Sequence, residues 1–205
     1  MNGFTGAEAQ IPYRSYSEIE WEATIFLRKY WNGLFPVDVD EICDKNDIGI
    51  IYIPNLKRQF GLDAYTTSDF KTIVVDEMVL NNDNRYRFCI SHELRHIVLH
   101  KEYYPSNIHD VETYLKYANG YVSGPAESQA DIFASILLIP AHEIREGLVD
   151  KFGDEVEENI KKSSLSEIVK IFSELSEHFG VPTEILRKRI EFAFPNIINA
   201  IKNRR

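Results

Sequence analysis

Arg87-Phe88-Cys89-Ile90-Ser91-His92-Glu93-Leu94-Arg95-His96-Ile97-Val98-Leu99-His100 is the stretch on which the reading of this chain turns. Tyr86 to His100 reads as helix. Its start is placed near Asn82 to Asn84, because the apolar pattern runs straight through Ser91 and leaves that residue no role as a cap. His92 and His96 are four apart, so they share one helical face, one turn from each other. Their imidazoles can converge on one tetrahedral zinc ion. Glu93 then falls beside the metal, placed to take a proton from a water that the metal activates. The competing reading is a surface helix whose wet face happens to carry a Glu and two His. Phe88, Cys89, Ile90, Leu94, Ile97, Val98 and Leu99 speak against it, since a helix this apolar is buried.

Two histidines need a third protein ligand to hold a catalytic zinc. His100 continues the same face but fails on distance: residues 92 and 100 lie about 12 Å apart along a straight helix, and a zinc–nitrogen bond is about 2 Å. His100 suits the helix end instead, where an imidazole complements the dipole. A pattern that supplies a third histidine just downstream would need glycine at 99 and histidine at 102; the chain has Leu99 and Glu102. A second helix offers Glu127. Gly124-Pro125 opens it, Pro140 stops it, and Ala130, Phe133, Ala134, Leu137 and Leu138 have helical spacing. Glu127 and Asp131 share a face near that apolar stripe, where carboxylates are costly unless paired or metal-bound. Glu127 as ligand and Asp131 as acceptor for a ligand histidine N–H satisfies both. The plainer reading, in which Glu127 only occupies the negative-favouring first turn of a helix, stands beside it. Ala141-His142-Glu143-Ile144-Arg145-Glu146 begins like the first motif but ends in Glu, and reads as a polar helix start after Pro140.

These two segments resemble the signatures of the ImmA/IrrE metallopeptidases: Arg87 to His100, then Glu127-Ser128-Gln129-Ala130-Asp131-Ile132-Phe133-Ala134 followed by Leu137-Leu138-Ile139-Pro140. The apolar run Thr72-Ile73-Val74-Val75 and the opening segment from Pro36 to Ile50 are similar as well, so the resemblance covers roughly residues 18 to 145. It implies one zinc ion per chain held by His92, His96 and Glu127, with Glu93 as base. The substrate class it implies is a helix-turn-helix repressor, cleaved to relieve repression of stress or mobile-element genes. One residue departs from the pattern: the family commonly has glycine before the second histidine, and this chain has Arg95. Manganese or iron can occupy a similar ligand set.

The expected fold class is α+β: a small β-sheet packed on the metal helix, followed by a helical C-terminal hairpin. Residues 1–150 are expected to form the peptidase core and 151–205 a helical subdomain. Helices are expected over Tyr16 to Trp31 and Asp38 to Asn46, and strands over Ile48 to Ile53, Gly61 to Tyr65 and Thr72 to Val75. An edge strand of such a sheet can hold an extended peptide by main-chain hydrogen bonds. Lys101 to Gly124, rich in tyrosine and carrying His109, is a long connection of the kind that walls a site. Ser163 to His178 and Pro182 to Phe194 read as two helices around Phe179-Gly180-Val181, with a helix-turn-helix look. Lys161 to Arg205 carries nine basic and five acidic residues, including Arg187-Lys188-Arg189. DNA contact is one reading of it; a basic helical hairpin capping the core is favoured.

The 205 residues can bury a substantial core, and the net charge of -9 argues against broad nucleic-acid binding. Two cysteines, Cys43 and Cys89, are too few for a disulfide framework, and Cys89 reads as a small buried residue. Met1 to Pro12 lacks the basic-then-apolar order of a signal peptide, so the cytoplasm is expected. The alternative function is a metal-containing regulator that binds a repressor or DNA through its C-terminal helices without proteolysis.

Overall fold

A computed structural model describes residues 12–99, 101–102, 110–115 and 125–203 of the chain. The fold is α+β, mostly helical with one three-stranded mixed sheet. Strand β1 (Gly49–Ile53) pairs in parallel with β3 (Thr72–Asp76), and β2 (Ala64–Thr66) pairs antiparallel with the other side of β3. The central strand is the β-branched run Ile73-Val74-Val75, buried on both faces as a middle strand should be. Asp76 ends it. Its buried carboxylate accepts from the backbone N–H of Lys57 at 2.6 Å and of Met78 at 2.7 Å, so the strand end is tied to helix α3 (Leu56–Phe60) and to a 3-10 turn (Glu77–Asn81).

The second strand begins three residues later than expected. Gly61 is the left-handed C-cap of α3, at φ 76°, and belongs to a helix end instead of a strand. Helix α3 itself is bracketed by two left-handed residues, Asn55 and Gly61, and is too short to show a period in sequence.

Helix α4 (Asp83–Leu99) carries the metal motif. Asn82 starts it, its side-chain oxygen accepting from the Arg85 N–H at 3.0 Å. One side of α4 meets β2 and the other packs on α5 (Pro125–Leu138), which also supports α1 (Tyr16–Tyr30). Ser15 and Glu18 close a capping box at the start of α1. Helix α2 (Val39–Asp44) packs on β1 and α4.

After Pro140 come α6 (Ala141–Phe152), α7 (Val156–Lys162), α8 (Leu165–Phe179), α9 (Thr183–Ala193) and α10 (Pro195–Lys202). The expected hairpin is α8–α9. Helices α7 and α10 were not expected; they pack on each other, and α10 buries Ile197, Ile198 and Ala200. Among the described residues the main apolar core joins Ile19 to Ala200, and a second small cluster holds Leu56, Tyr65, Val74 and Tyr114. The turn between α8 and α9 is locked to the metal helix: Gly180 sits at φ 63°, and its carbonyl accepts from Arg87 Nε at 3.1 Å.

Arg189 is only 1% exposed. It donates from Nε to the Ile139 carbonyl at 3.1 Å and from Nη2 to Glu20 at 2.9 Å, clamping the end of α5 between α1 and α9. Arg187 and Lys188, its neighbours in the basic run, pair with Glu191 and Glu184 on their own helix. Among the described residues no helix is long and apolar enough to cross a membrane.

Candidate metal centre

Helix α4 presents His92, Glu93, Arg95 and His96, and α5 presents Glu127 and Asp131, across the packed seam between the two helices. One ligand atom from each of His92, His96 and Glu127 lies within 4.8 Å of the others. His92 Nε2 is 3.1 Å from Glu127 Oε2, and His92 Nδ1 is 3.2 Å from Asp131 Oδ1. Both ring nitrogens therefore face carboxylate oxygens, which only accept, and the imidazole donates from both sides. Burial pulls the His92 imidazolium down, but Asp131, Glu127 and the charge of Glu93 outweigh it, and the group is pushed up to about 9. Glu127 is held below the usual carboxylate range: burial opposes this, and His92 and Arg95 prevail.

Glu93 is 4% exposed. Burial drives its carboxyl above the ordinary range, against the pull of His92 and a hydrogen bond from Thr66. That bond, Thr66 Oγ1 to Glu93 Oε2 at 2.8 Å, fixes the carboxylate from strand β2. Sequence reading missed Thr66, because nothing in Ala64-Tyr65-Thr66 marks the residue that will face Glu93 27 positions away.

Arg95 is the other departure from expectation. It stands where the resembling family commonly has glycine, and it is 0% exposed. Its Nη2 is 3.0 Å from His96 Nε2 and 3.6 Å from Glu127 Oε1. Guanidinium has no acceptor, so His96 Nε2 must be the unprotonated, accepting nitrogen.

A cleft of about 280 Å³ opens onto this group, with Gly61, Asp63, Cys89 and Tyr114 on its walls beside His92, Glu93, Glu127 and Asp131. Tyr114 comes from the long connection and packs on Tyr65, the rings tilted by 31° with centres 5.2 Å apart. His100, Tyr103, Tyr104, His109, Tyr117 and Tyr121 lie outside the described residues. Cys89 is half-buried at the cleft wall and not sealed in the core; burial pushes its thiol up to about 12, so it is no thiolate at neutral pH. A larger cavity of about 570 Å³ between α6 and α10 contains no histidine or cysteine, so size does not locate the chemistry. His142 is exposed and among the described residues pairs with Glu143, at 3.3 Å, as an ordinary helix-start residue.

The donor chemistry fits a metal ion: two imidazoles and a carboxylate converge, and buried Glu127 Oε1 has no hydrogen-bond partner among the described residues. Such a centre between an H-E-x-x-H helix and a second helix defines a metallopeptidase-type protein. The family profile of peptidase M78, described as the IrrE N-terminal-like domain, matches residues 43–191, and the chain belongs to that family. The match extends through α8 and most of α9, well past the motif helices. No curated protein matches the chain.

Proposed function

We propose that this chain is a zinc-dependent endopeptidase whose substrate is a helix-turn-helix repressor protein, and that it acts in the cytoplasm to relieve repression of stress or mobile-element genes. The observation that carries the catalytic half is the convergence of His92, His96 and Glu127 next to a buried, Thr66-anchored Glu93. The substrate half rests on the family resemblance. His92, His96 and Glu127 hold the metal, and Asp131 orients the His92 ring through Nδ1. Bound zinc supplies a Lewis acid that polarises the scissile carbonyl and makes a water nucleophilic at neutral pH. Glu93 takes the proton of the attacking water and delivers it to the leaving amine. Burial raises its proton affinity above that of a free carboxylate, which suits a group that must accept a proton and then give it up.

Gly61 to Ala64 wall the cleft where the chain enters β2, an edge strand of the sheet. A peptide laid against that edge would run past Glu93, with Tyr114 and Cys89 as neighbours. The C-terminal hairpin is read as a cap on the core. Arg189 is an internal clamp, and Arg187 and Lys188 are matched by acids on their own helix, so DNA binding is not adopted.

The test is Glu93→Gln assayed on a co-expressed repressor. The variant should bind zinc as wild type does and lose cleavage by at least about a hundredfold, the scale of a general base. Cleavage at the wild-type rate would remove Glu93 from the mechanism. Zinc binding without cleavage of any repressor by wild type would leave the non-proteolytic regulator as the better reading.

A further inference from the structure

We propose that Arg95 competes with the metal ion for His96 and Glu127, so that metal uptake requires the guanidinium to swing away. The inference rests on the metal-centre reading above. A neutral imidazole has one accepting nitrogen, and in His96 that nitrogen is Nε2, which faces Arg95 Nη2 at 3.0 Å. A zinc ion would sit about 2.0–2.1 Å from the same nitrogen along the same direction. The two cannot share it. The same Nη2 lies 3.6 Å from Glu127 Oε1, so a single nitrogen of Arg95 spans two of the three donors.

The contact is built into the interior. Arg95 is 0% exposed, and a buried guanidinium persists only where acceptors compensate its lost hydration. Arg95 directly precedes His96, and successive helical positions diverge by about 100°. It is also three positions after His92, so it borders the same face, and its stem carries the guanidinium onto His96 and Glu127. Rotation about that stem can release it while the helix stays still.

The consequence is a centre whose affinity is set below what its three donors alone would give. Zinc must displace a charge-assisted contact, whose loss changes affinity on the order of tenfold to a hundredfold. Fixed positive charge beside the ligands adds to the same side.

The test titrates Zn2+ alone into the full chain against a chromophoric chelator. It compares wild type with Arg95→Met, which keeps the stem and removes the charge. The variant should bind zinc at least about tenfold more tightly. Its melting temperature should be lower than wild type in excess chelator and should rise more on zinc addition. Equal or weaker affinity in Arg95→Met, with wild type binding one zinc, overturns the role of Arg95 and leaves the metal centre standing. No zinc on either protein overturns both. Arg95→Ala serves if the Met variant does not fold. A zinc-bound wild-type structure decides independently of any variant: Arg95 withdrawn from His96 Nε2 supports the competition, and a guanidinium still 3.0 Å from that nitrogen overturns it.

Discussion

Removing the Asp131 side chain should weaken zinc binding about tenfold while leaving the fold intact. Asp131 Oδ1 is 3.2 Å from His92 Nδ1, on the side of the ring away from Glu127. A carboxylate in that position fixes which nitrogen carries the proton and raises the basicity of the other. Losing such a partner costs about 10–100-fold in metal affinity. The Asp131 side chain is 64% exposed, so water screens its charge, and the low end applies. Tenfold corresponds to about 1.4 kcal/mol. Asp131→Asn keeps an accepting oxygen and should lose only about threefold, since the acceptor geometry survives and only the charge is gone. The assay is competition for Zn2+ with a chromophoric chelator, alongside a melting curve in excess chelator. Zinc affinity of Asp131→Ala within twofold of wild type would refute the orienting role. A loss of a thousandfold or more would refute it in the other direction, making Asp131 itself a ligand.

Three further outcomes are expected. Thr66→Val keeps the shape of β2 and removes the hydrogen bond to Glu93 Oε2; kcat should fall roughly tenfold with zinc affinity unchanged, and an unchanged kcat would remove Thr66 as a positioning residue. Gly180→Ala should destabilise the chain by about 2–4 kcal/mol in urea unfolding, since the residue sits at φ 63° and a Cβ would lie 2.6 Å from Pro36 Cβ and 2.7 Å from Arg87 Nε. A change below about 0.5 kcal/mol would mean that the α8–α9 turn is not locked on α4 as described. Cys43 and Cys89, both pushed up to about 12 by burial, should react with iodoacetamide at pH 8 on the order of a hundredfold more slowly than a free thiol, and at the ordinary rate once unfolded. Fast alkylation of the native protein would contradict their protonated state.

The parts of the site that were legible in the sequence are those fixed by helical period. His92, Glu93 and His96 have a spacing that only one face of a helix can use, and Glu127 and Asp131 repeat the logic four residues apart between two prolines. Asp131 lies against the His92 ring, the contact that the shared face of Glu127 and Asp131 predicts. The strand Thr72 to Val75 was readable because a β-branched run between turn residues has few other uses. What sequence hid was set by tertiary contact. Thr66 gains its role from 27 positions away, and the burial of Arg95 against His96 and Glu127 follows from the packing of α4 on α5, which no local pattern shows. Arg189 looked like one of three basic surface residues and is instead a buried clamp with two acceptors from distant segments. Helices α3, α7 and α10 have five to eight residues, too few for a hydrophobic period to show.

The most direct test of the central claim is zinc content per chain by elemental analysis after reconstitution and dialysis, for wild type, Glu93→Gln, His96→Ala and Glu127→Ala. The account predicts about one zinc in wild type and Glu93→Gln and a sharp loss in both ligand variants. Full zinc retained by Glu127→Ala, or none in wild type, would contradict it.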